Sequence, residues 1–220
     1  MGTVSDIVKP GYARQGLAAF FQQAAAFISS NESLNYYLYE CRLVKWNEAD
    51  FLPKMQNLTL KTITTEAQLD ELIAGGFDLS LDSVLTRRGL QKGAVVFLLF
   101  VGRELASREI VAANAAAKAV IDKYPYKVDF DNGEACAAGV WTNPKFRNLG
   151  LHTYVFFKAY DYLLEHGVKI VRSIVWVDNF AAQRAHAKFA PAIQKYARGR
   201  YFRILGLTFC RQTGLAGRQR

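Results

Sequence analysis

The chain has 220 residues, of which 51% are hydrophobic and 21% are charged, and its formal net charge is +9. This composition is that of a globular protein with a sizeable core, because disordered chains combine few hydrophobic residues with a high net charge. No apolar run reaches the roughly eighteen residues of a membrane span, and the N-terminus lacks the basic-then-apolar pattern of a signal peptide. We therefore expect a cytoplasmic protein that does not enter the membrane.

The first 57 residues predict an N-terminal extension that packs on the body of the protein. Apolar residues recur at helical spacing between residues 11 and 29, which indicates an amphipathic helix. Residues 35–46 are dense in Tyr, Leu and Val and predict a strand added to the main domain. The aromatic side chains of this strand fit packing against the body or against a second copy of the chain, so a homodimer stays open.

Residues 58–210 predict one domain in which strands and helices alternate. Thr65, followed by acidic residues, marks the start of a helix. Gly102-Arg103, between two apolar runs, is compatible with a tight hairpin. A basic tail at residues 211–220 follows this domain. The predicted strands lie at 58–63, 94–101, 104–111, 134–142, 169–177 and 201–210, and the predicted helices lie at 65–73, 79–89, 112–123, 151–166 and 179–189.

The most informative motif lies between the predicted strand 134–142 and the predicted helix 151–166. Pro144 ends the strand, and a short loop that contains Arg147 and Gly150 leads into the helix. The first N–H groups of a helix have no intrahelical partner and lie at the positive end of its dipole, so they attract phosphate groups. A glycine beside them lets an anion approach, because it has no Cβ. Many strand–helix connections also contain Pro and Gly without binding an anion.

The positive charge is concentrated at the C-terminal end. From Asn179 onward the chain has nine Lys or Arg residues and no acidic residue. Such a segment attracts anions, or it forms a solvated basic surface. It contains no nucleic-acid recognition motif, so the sequence disfavours a nucleic-acid partner. The Cys and His residues show no metal-ligand spacing, and we expect no metal site.

The loop resembles the pyrophosphate loop of the GNAT superfamily of acyl-CoA-dependent N-acetyltransferases, whose pattern is R/Q-x-x-G-x-G/A. The matching residues are Pro144, Phe146, Arg147, Gly150 and Leu151. The order of the predicted elements also resembles that family. The resemblance implies an α/β (α+β) GNAT fold, with a mixed, mostly antiparallel central sheet flanked by helices.

The resemblance also implies a cofactor, which is acetyl-CoA or another acyl-CoA. Val140 and Thr142, on one face of the strand, are then expected to flank the pantetheine arm. The backbone of the loop and of the first helical turn is expected to bind the diphosphate. Asn148 and His152 depart from the family pattern, which has small residues at both positions. The loop residues carried over are Arg147, Asn148, Leu149, Gly150, Leu151 and His152.

A second family motif, N-x-x-A/S-x-x-x-Y-x-K, is matched in part by Asn179, Ala182 and Lys188. His186 stands where the family has the Tyr that protonates the leaving thiolate. The resemblance therefore makes His186, as an imidazolium, a candidate acid and places Asn179 in the catalytic site. The alternative is that His186 is only a polar helix residue. Glu134 is a candidate base, and Glu109 and a water molecule are alternatives to it.

These motifs together predict an N-acyltransferase that moves an acetyl or other short acyl group from acyl-CoA to an amine. The acceptor is unidentified and is either a small molecule or a peptide. We expect residues 79–89, residues 102–105 and the N-terminal extension to line its pocket. The alternative is a GNAT-like CoA-binding or regulatory module with impaired catalysis, because His152, His186 and Ala190 depart from the family pattern.

Overall fold

The computed structural model describes residues 33–79, 83–204 and 207–214, which form one eight-stranded sheet with helices on both faces. The predicted helix at residues 11–29 and the last residues of the predicted tail lie outside these ranges. The strands are β1 (Ser33–Arg42), β2 (Leu58–Ile63), β3 (Ala94–Val101), β4 (Glu104–Ala112), β5 (Glu134–Thr142), β6 (Ile170–Trp176), β7 (Ile193–Ile204) and β8 (Leu207–Gly214). The helices are α1 (Glu66–Ala74), α2 (Ser83–Leu90), α3 (Ala115–Ile121), α4 (Leu151–Glu165) and α5 (Phe180–Ala187).

The strands are arranged in the order β2-β3-β4-β5-β6-β1-β7-β8. Every neighbouring pair is antiparallel except β5 and β6, which are parallel. The prediction of an α/β fold with a mixed, mostly antiparallel sheet is therefore confirmed. The parallel pair needs a crossover connection, and α4 provides it.

The strand predicted within the N-terminal extension lies inside the sheet. β1 pairs with β6 on one side and with β7 on the other, and it is antiparallel to both. Tyr36 and Leu38 are fully buried on it. This part of the predicted extension thus completes the sheet and joins β6 to the C-terminal hairpin.

The prediction of one final strand at residues 201–210 was wrong, because two antiparallel strands, β7 and β8, occupy this region. The alternation of buried and exposed side chains begins well before residue 201. Ala197 and Tyr201 are buried, whereas Arg198 and Arg200 between them are exposed. This two-residue period is that of a strand with one solvated face.

Two apolar cores lie on opposite faces of the sheet. The α4 face is covered mainly by α4, which buries Leu151, Val155, Phe156 and Tyr160 at helical spacing. Burial of each such large side chain contributes about 1.5–3 kcal/mol. The other core includes residues of α1, α2 and α3. Packing of α4 fixes its N-terminus beside the end of β5. No helix in the described part of the chain is both long enough and apolar enough to cross a membrane.

Candidate active site

The two parallel strands separate after a short paired segment and open a cavity. Residues 134–136 of β5 pair with residues 170–172 of β6, and no pairing between these strands follows. The gap leads into a cavity of about 860 Å³, a volume typical of small-molecule and cofactor sites. Its lining includes Leu151 and Phe156 from one core and Trp141 and Trp176 from the other. The cavity therefore reaches both faces of the sheet.

The loop between β5 and α4 brings the helix N-terminus to this cavity. Asn143 holds the loop in place, since its side chain accepts from the Lys145 N–H at 3.1 Å and donates to the Leu105 carbonyl at 3.2 Å. Asn148 and Gly150 have φ angles of 64° and 83°, the left-handed region in which a Cβ is unfavourable. No side chain caps the first turn of α4.

Seven of the eight residues predicted to contact the cofactor line the cavity. Leu149 is the exception, because its side chain packs against the core of the α4 face and its carbonyl accepts from the Lys54 N–H at 3.4 Å. The seven are Val140, Thr142, Arg147, Asn148, Gly150, Leu151 and His152.

Three cations surround the cavity on the α4 side. Arg147 lies in the loop, and Arg184 and Lys188 come from α5 and its C-terminal end. All three are exposed, and none forms an ion pair with an acid in the described part of the chain. Together with the uncapped helix they make this opening complementary to a phosphorylated ligand.

The His152 side chain points into the protein, toward β4. Its imidazole Nε2 lies 3.9 Å from Oε2 of Glu109, and its ring centroid lies 5.8 Å from that of Phe156. Burial lowers the pKa of His152 to about 4, so the imidazole is neutral near pH 7. The bulky residue at this loop position is accommodated because its ring is directed toward β4 and Phe156.

Glu109 is a fully buried carboxyl in the wall of the cavity. The ladder between β4 and β5 changes register beside it, and Gly139 on β5 has a φ of 67°, as expected at a β-bulge. Neither oxygen of Glu109, nor Nε2 of His152, has a hydrogen-bond partner among the described residues. Burial raises the pKa of Glu109 well above its usual range, despite the nearby Arg108. Such orphaned groups are rare in interiors, and here they face a cavity that a ligand or water can enter.

The environment of His186 favours the neutral form of its ring. Its Nδ1 lies 2.9 Å from the Ala182 carbonyl, which can only accept, so Nδ1 carries the hydrogen. The other ring nitrogen, Nε2, then accepts from the Ser173 hydroxyl at 3.1 Å. Burial lowers the pKa of His186 to about 4. The neutral ring, with Nε2 as its acceptor, is therefore the resting form near pH 7.

Asn179 and Glu134 differ in where the structure places them. Asn179 lines the cavity, but its side-chain oxygen accepts from the Ala182 N–H at 3.0 Å and caps α5. The structure does not bring Glu134 to the cavity, because it lies where β5 and β6 are still paired. Arg172 donates to both of its oxygens at 2.6 Å and lowers the pKa of its carboxyl. A carboxylate held in this ion pair is a poor candidate for a base.

The far side of the cavity is lined by residues that sequence reasoning missed. No described residue in 79–89 or 102–105 lines the cavity. The residues present there lie at or after the end of α3, or near the ends of β5 and β6. Such ends are visible in a sequence only as changes of pattern. These residues are Ile121, Asp122, Tyr124, Trp141 and Trp176. No group of three or more His, Cys, Asp or Glu side chains is arranged to hold a metal in the described ranges.

Solved structures of GNAT-family acetyltransferases share this architecture. A GNAT-family acetyltransferase from Colwellia psychrerythraea is 13% identical, with a TM-score of 0.50 over 83% of this chain and 61% of its own. A GCN5-related N-acetyltransferase from Sphaerobacter thermophilus is 11% identical, with a TM-score of 0.50 over 90% of this chain and 56% of its own. The chain has the GNAT fold.

A tandem GNAT protein from the clavulanic acid biosynthesis pathway is 17% identical, with a TM-score of 0.50 over 92% of this chain and 60% of its own. The chain thus spans about three-fifths of the length of these three proteins. No protein-family model matches the sequence, and a search of curated proteins gives no significant match. The GNAT fold is thus shown by structure, and activity depends on the site itself.

Proposed function

We propose that this protein is an N-acyltransferase that transfers an acetyl or other short acyl group from acyl-CoA to an amine. The observation that carries the proposal is the uncapped N-terminus of α4, which opens into the gap between β5 and β6. Around the same opening lie Arg147, Arg184 and Lys188, which form no ion pair with any described acidic residue. This combination of free amides, positive charge and a deep apolar cleft suits a diphosphate attached to a long, flexible arm.

Different described residues would contact different parts of the cofactor. The amides of Leu151, His152 and Thr153 and the loop around Gly150 would bind the diphosphate, with Arg147 beside it. Val140 and Thr142 would flank the pantetheine arm along β5, and all of these residues line the cavity. The bound acyl-CoA supplies a thioester carbonyl as the electrophile.

Ser173 and His186 can move the proton that acyl transfer releases. As the amine nitrogen forms its bond to the thioester carbon, its proton passes to Ser173 Oγ, and the Ser173 proton passes to His186 Nε2. The Ala182 carbonyl stabilises the cation that results on the ring. When the carbon–sulfur bond breaks, the proton returns along the same path to the thiolate. His186 then acts first as the base and afterwards as the acid.

A CoA-binding module with impaired catalysis is the second candidate. The low pKa of His186, about 4, favours it, because a weak base removes a proton from an amine slowly. The same residues would bind the cofactor in both cases, so binding alone does not separate the two functions.

Two measurements on the purified protein test the proposal. Calorimetry with CoA measures binding, and thiol release from acetyl-CoA in the presence of a panel of amines measures transfer. The proposal predicts binding and an amine-dependent release of thiol. Binding without any amine-dependent release would favour the second candidate, and the absence of CoA binding would exclude both.

A further inference from the structure

The lining of the cavity carries opposite charges on its two sides. On the α4 side the exposed charged residues in the lining are Arg147, Arg184 and Lys188. On the other side the charged lining residue is Asp122, which is 5% exposed, and no described Lys or Arg lines that side. The lining therefore favours an anion on one side and a cation on the other. This arrangement suits acyl transfer from CoA to an amine, since the two substrates must meet in the gap between β5 and β6.

Aromatic rings form the walls on the Asp122 side. Trp141 and Trp176 stand near the ends of the two strands that separate, so they lie on opposite walls of the gap, and Tyr124 adds a third ring. Tyr124 contacts Trp176 edge to face at a centroid distance of 5.0 Å. Neither indole N–H has a hydrogen-bond partner in the described part of the chain. All three rings are half-buried and present surface to the cavity.

The protein holds Asp122 firmly in place below these rings. Its carboxylate accepts from the Tyr124 N–H at 3.0 Å, from the Tyr126 hydroxyl at 2.5 Å and from the Cys136 thiol at 3.6 Å. Two lysines stand close by and do not line the cavity. Lys118 donates to the carbonyls of Asp122 and Tyr124, and Lys123 Nζ lies 5.6 Å from the centroid of the Tyr124 ring. Because Asp122 is the charged described residue that lines this side, beside the aromatic rings, the lining favours an ammonium group over a carboxylate.

We propose that the acceptor is a small arylalkylamine, a primary amine joined by a short alkyl chain to an aromatic ring. Its ring lies between Trp141 and Trp176, and its ammonium group is drawn in by Asp122 and loses one proton to solvent before the neutral amine attacks the thioester. This inference rests on the proposed acyl transfer and names its substrate class.

Three small molecules test the contributions of the acceptor's aromatic ring and of its positive charge separately. Calorimetry on the CoA-bound protein compares 2-phenylethylamine with n-butylamine, which lacks the ring, and with 2-phenylethanol, which lacks the charge. We expect phenylethylamine to bind at least about tenfold more tightly than either of the others, since each loses one of the two interactions. Equal binding of the three probes, or preference for butylamine, would overturn the proposal.

Tryptophan variants locate the binding. Trp176→Leu and Trp141→Leu should each weaken phenylethylamine binding about tenfold without changing CoA binding. Trp46→Leu is the matched control, because Trp46 packs against Tyr160 and Phe189 outside the cavity and should have no effect. Unchanged phenylethylamine affinity in both cavity variants would refute the assignment.

Tight, tryptophan-dependent binding of phenylethylamine without thiol release would leave the acceptor site standing and remove the proposed function. Thiol release only with aliphatic amines or peptides would keep the proposed acyl transfer and remove the arylalkylamine acceptor site.

Discussion

The buried cluster of Glu109, His152 and His186 makes a quantitative prediction about stability and pH. Burial lowers the pKa of each imidazole from 6.5 to about 4, so each is neutral in the folded protein between these values and protonated in the unfolded chain. The contribution of these two neutral imidazoles to the stability of the folded protein is therefore complete above pH 6.5 and is lost as the pH falls toward 4. Glu109 acts in the opposite direction, because its raised pKa keeps its proton in the folded state after the unfolded carboxyl has lost it.

Near pH 5.5 these three groups make the free energy of unfolding depend on pH, and the linkage relation gives the sign of each contribution. Each imidazole binds more protons in the unfolded state and Glu109 binds fewer, so the two imidazoles make the free energy of unfolding rise with pH, and Glu109 opposes this rise. Removing the opposing group in Glu109→Gln should therefore steepen the slope. Removing one imidazole in His186→Asn should lower the slope by roughly 1 kcal/mol per pH unit.

Urea unfolding of the three proteins at several pH values between about 5 and 6 measures these slopes. Carboxylates whose pKa is lowered, such as Glu48 and Glu104, lose their contribution mainly at lower pH and are the same in every variant. Parallel slopes in the wild type and in Glu109→Gln would show that Glu109 is ionised in the folded protein. A slope in His186→Asn equal to that of the wild type would show that His186 is protonated.

Two further predictions concern catalysis and cofactor binding. Ser173→Ala should lower kcat about 100-fold in the thiol-release assay while leaving the Kd for CoA unchanged, because the hydroxyl is the link between the amine and His186. A proportional change in the Kd for CoA would show that Ser173 acts through packing instead. The double variant Arg184→Gln and Lys188→Gln should weaken CoA binding about fivefold in calorimetry at low salt, and less at high salt. Arg211→Gln is its control, since Arg211 is exposed on β8 outside the cavity, and an equal loss in the control would mean that only net charge matters.

The parts of the fold that local chemistry determines could be predicted from the sequence. Pro144 stops β5 and Gly150 permits the left-handed turn before α4, and the predicted strand at residues 134–142 and the helix start at Leu151 agree with the structure. Both signals act within a few residues of the element they end or begin. Most of the residues predicted to contact the cofactor follow directly from this loop.

Features that depend on long-range packing could not be predicted in the same way. The position of β1 between β6 and β7 is set by contacts more than a hundred residues apart in the chain. The protonation of His186 depends on burial beneath Tyr39 and Phe156, which lie on other elements. Glu134 was a reasonable base from its place on β5, but Arg172 reaches it only because β6 pairs alongside. Ser173 was visible only as a polar residue within an apolar strand.

The central claim is that the N-terminus of α4 binds the diphosphate of CoA, and two glycines of the same helix test it most directly. Gly150 precedes the first turn, and Gly167 follows the last, with φ angles of 83° and 81°. A Cβ at Gly150 would meet only Pro53 at 3.8 Å, and a Cβ at Gly167 would meet nothing within 4 Å. Alanine should therefore cost a similar strain of about 1–2 kcal/mol at either position.

The decisive measurement is calorimetric titration of CoA into Gly150→Ala and Gly167→Ala. We expect at least a tenfold loss of affinity in Gly150→Ala, because the added Cβ and the altered loop hold the diphosphate away from the helix amides. Gly167→Ala should bind CoA as the wild-type protein does. Equal affinity in both variants would contradict the account and place the ligand elsewhere in the cavity.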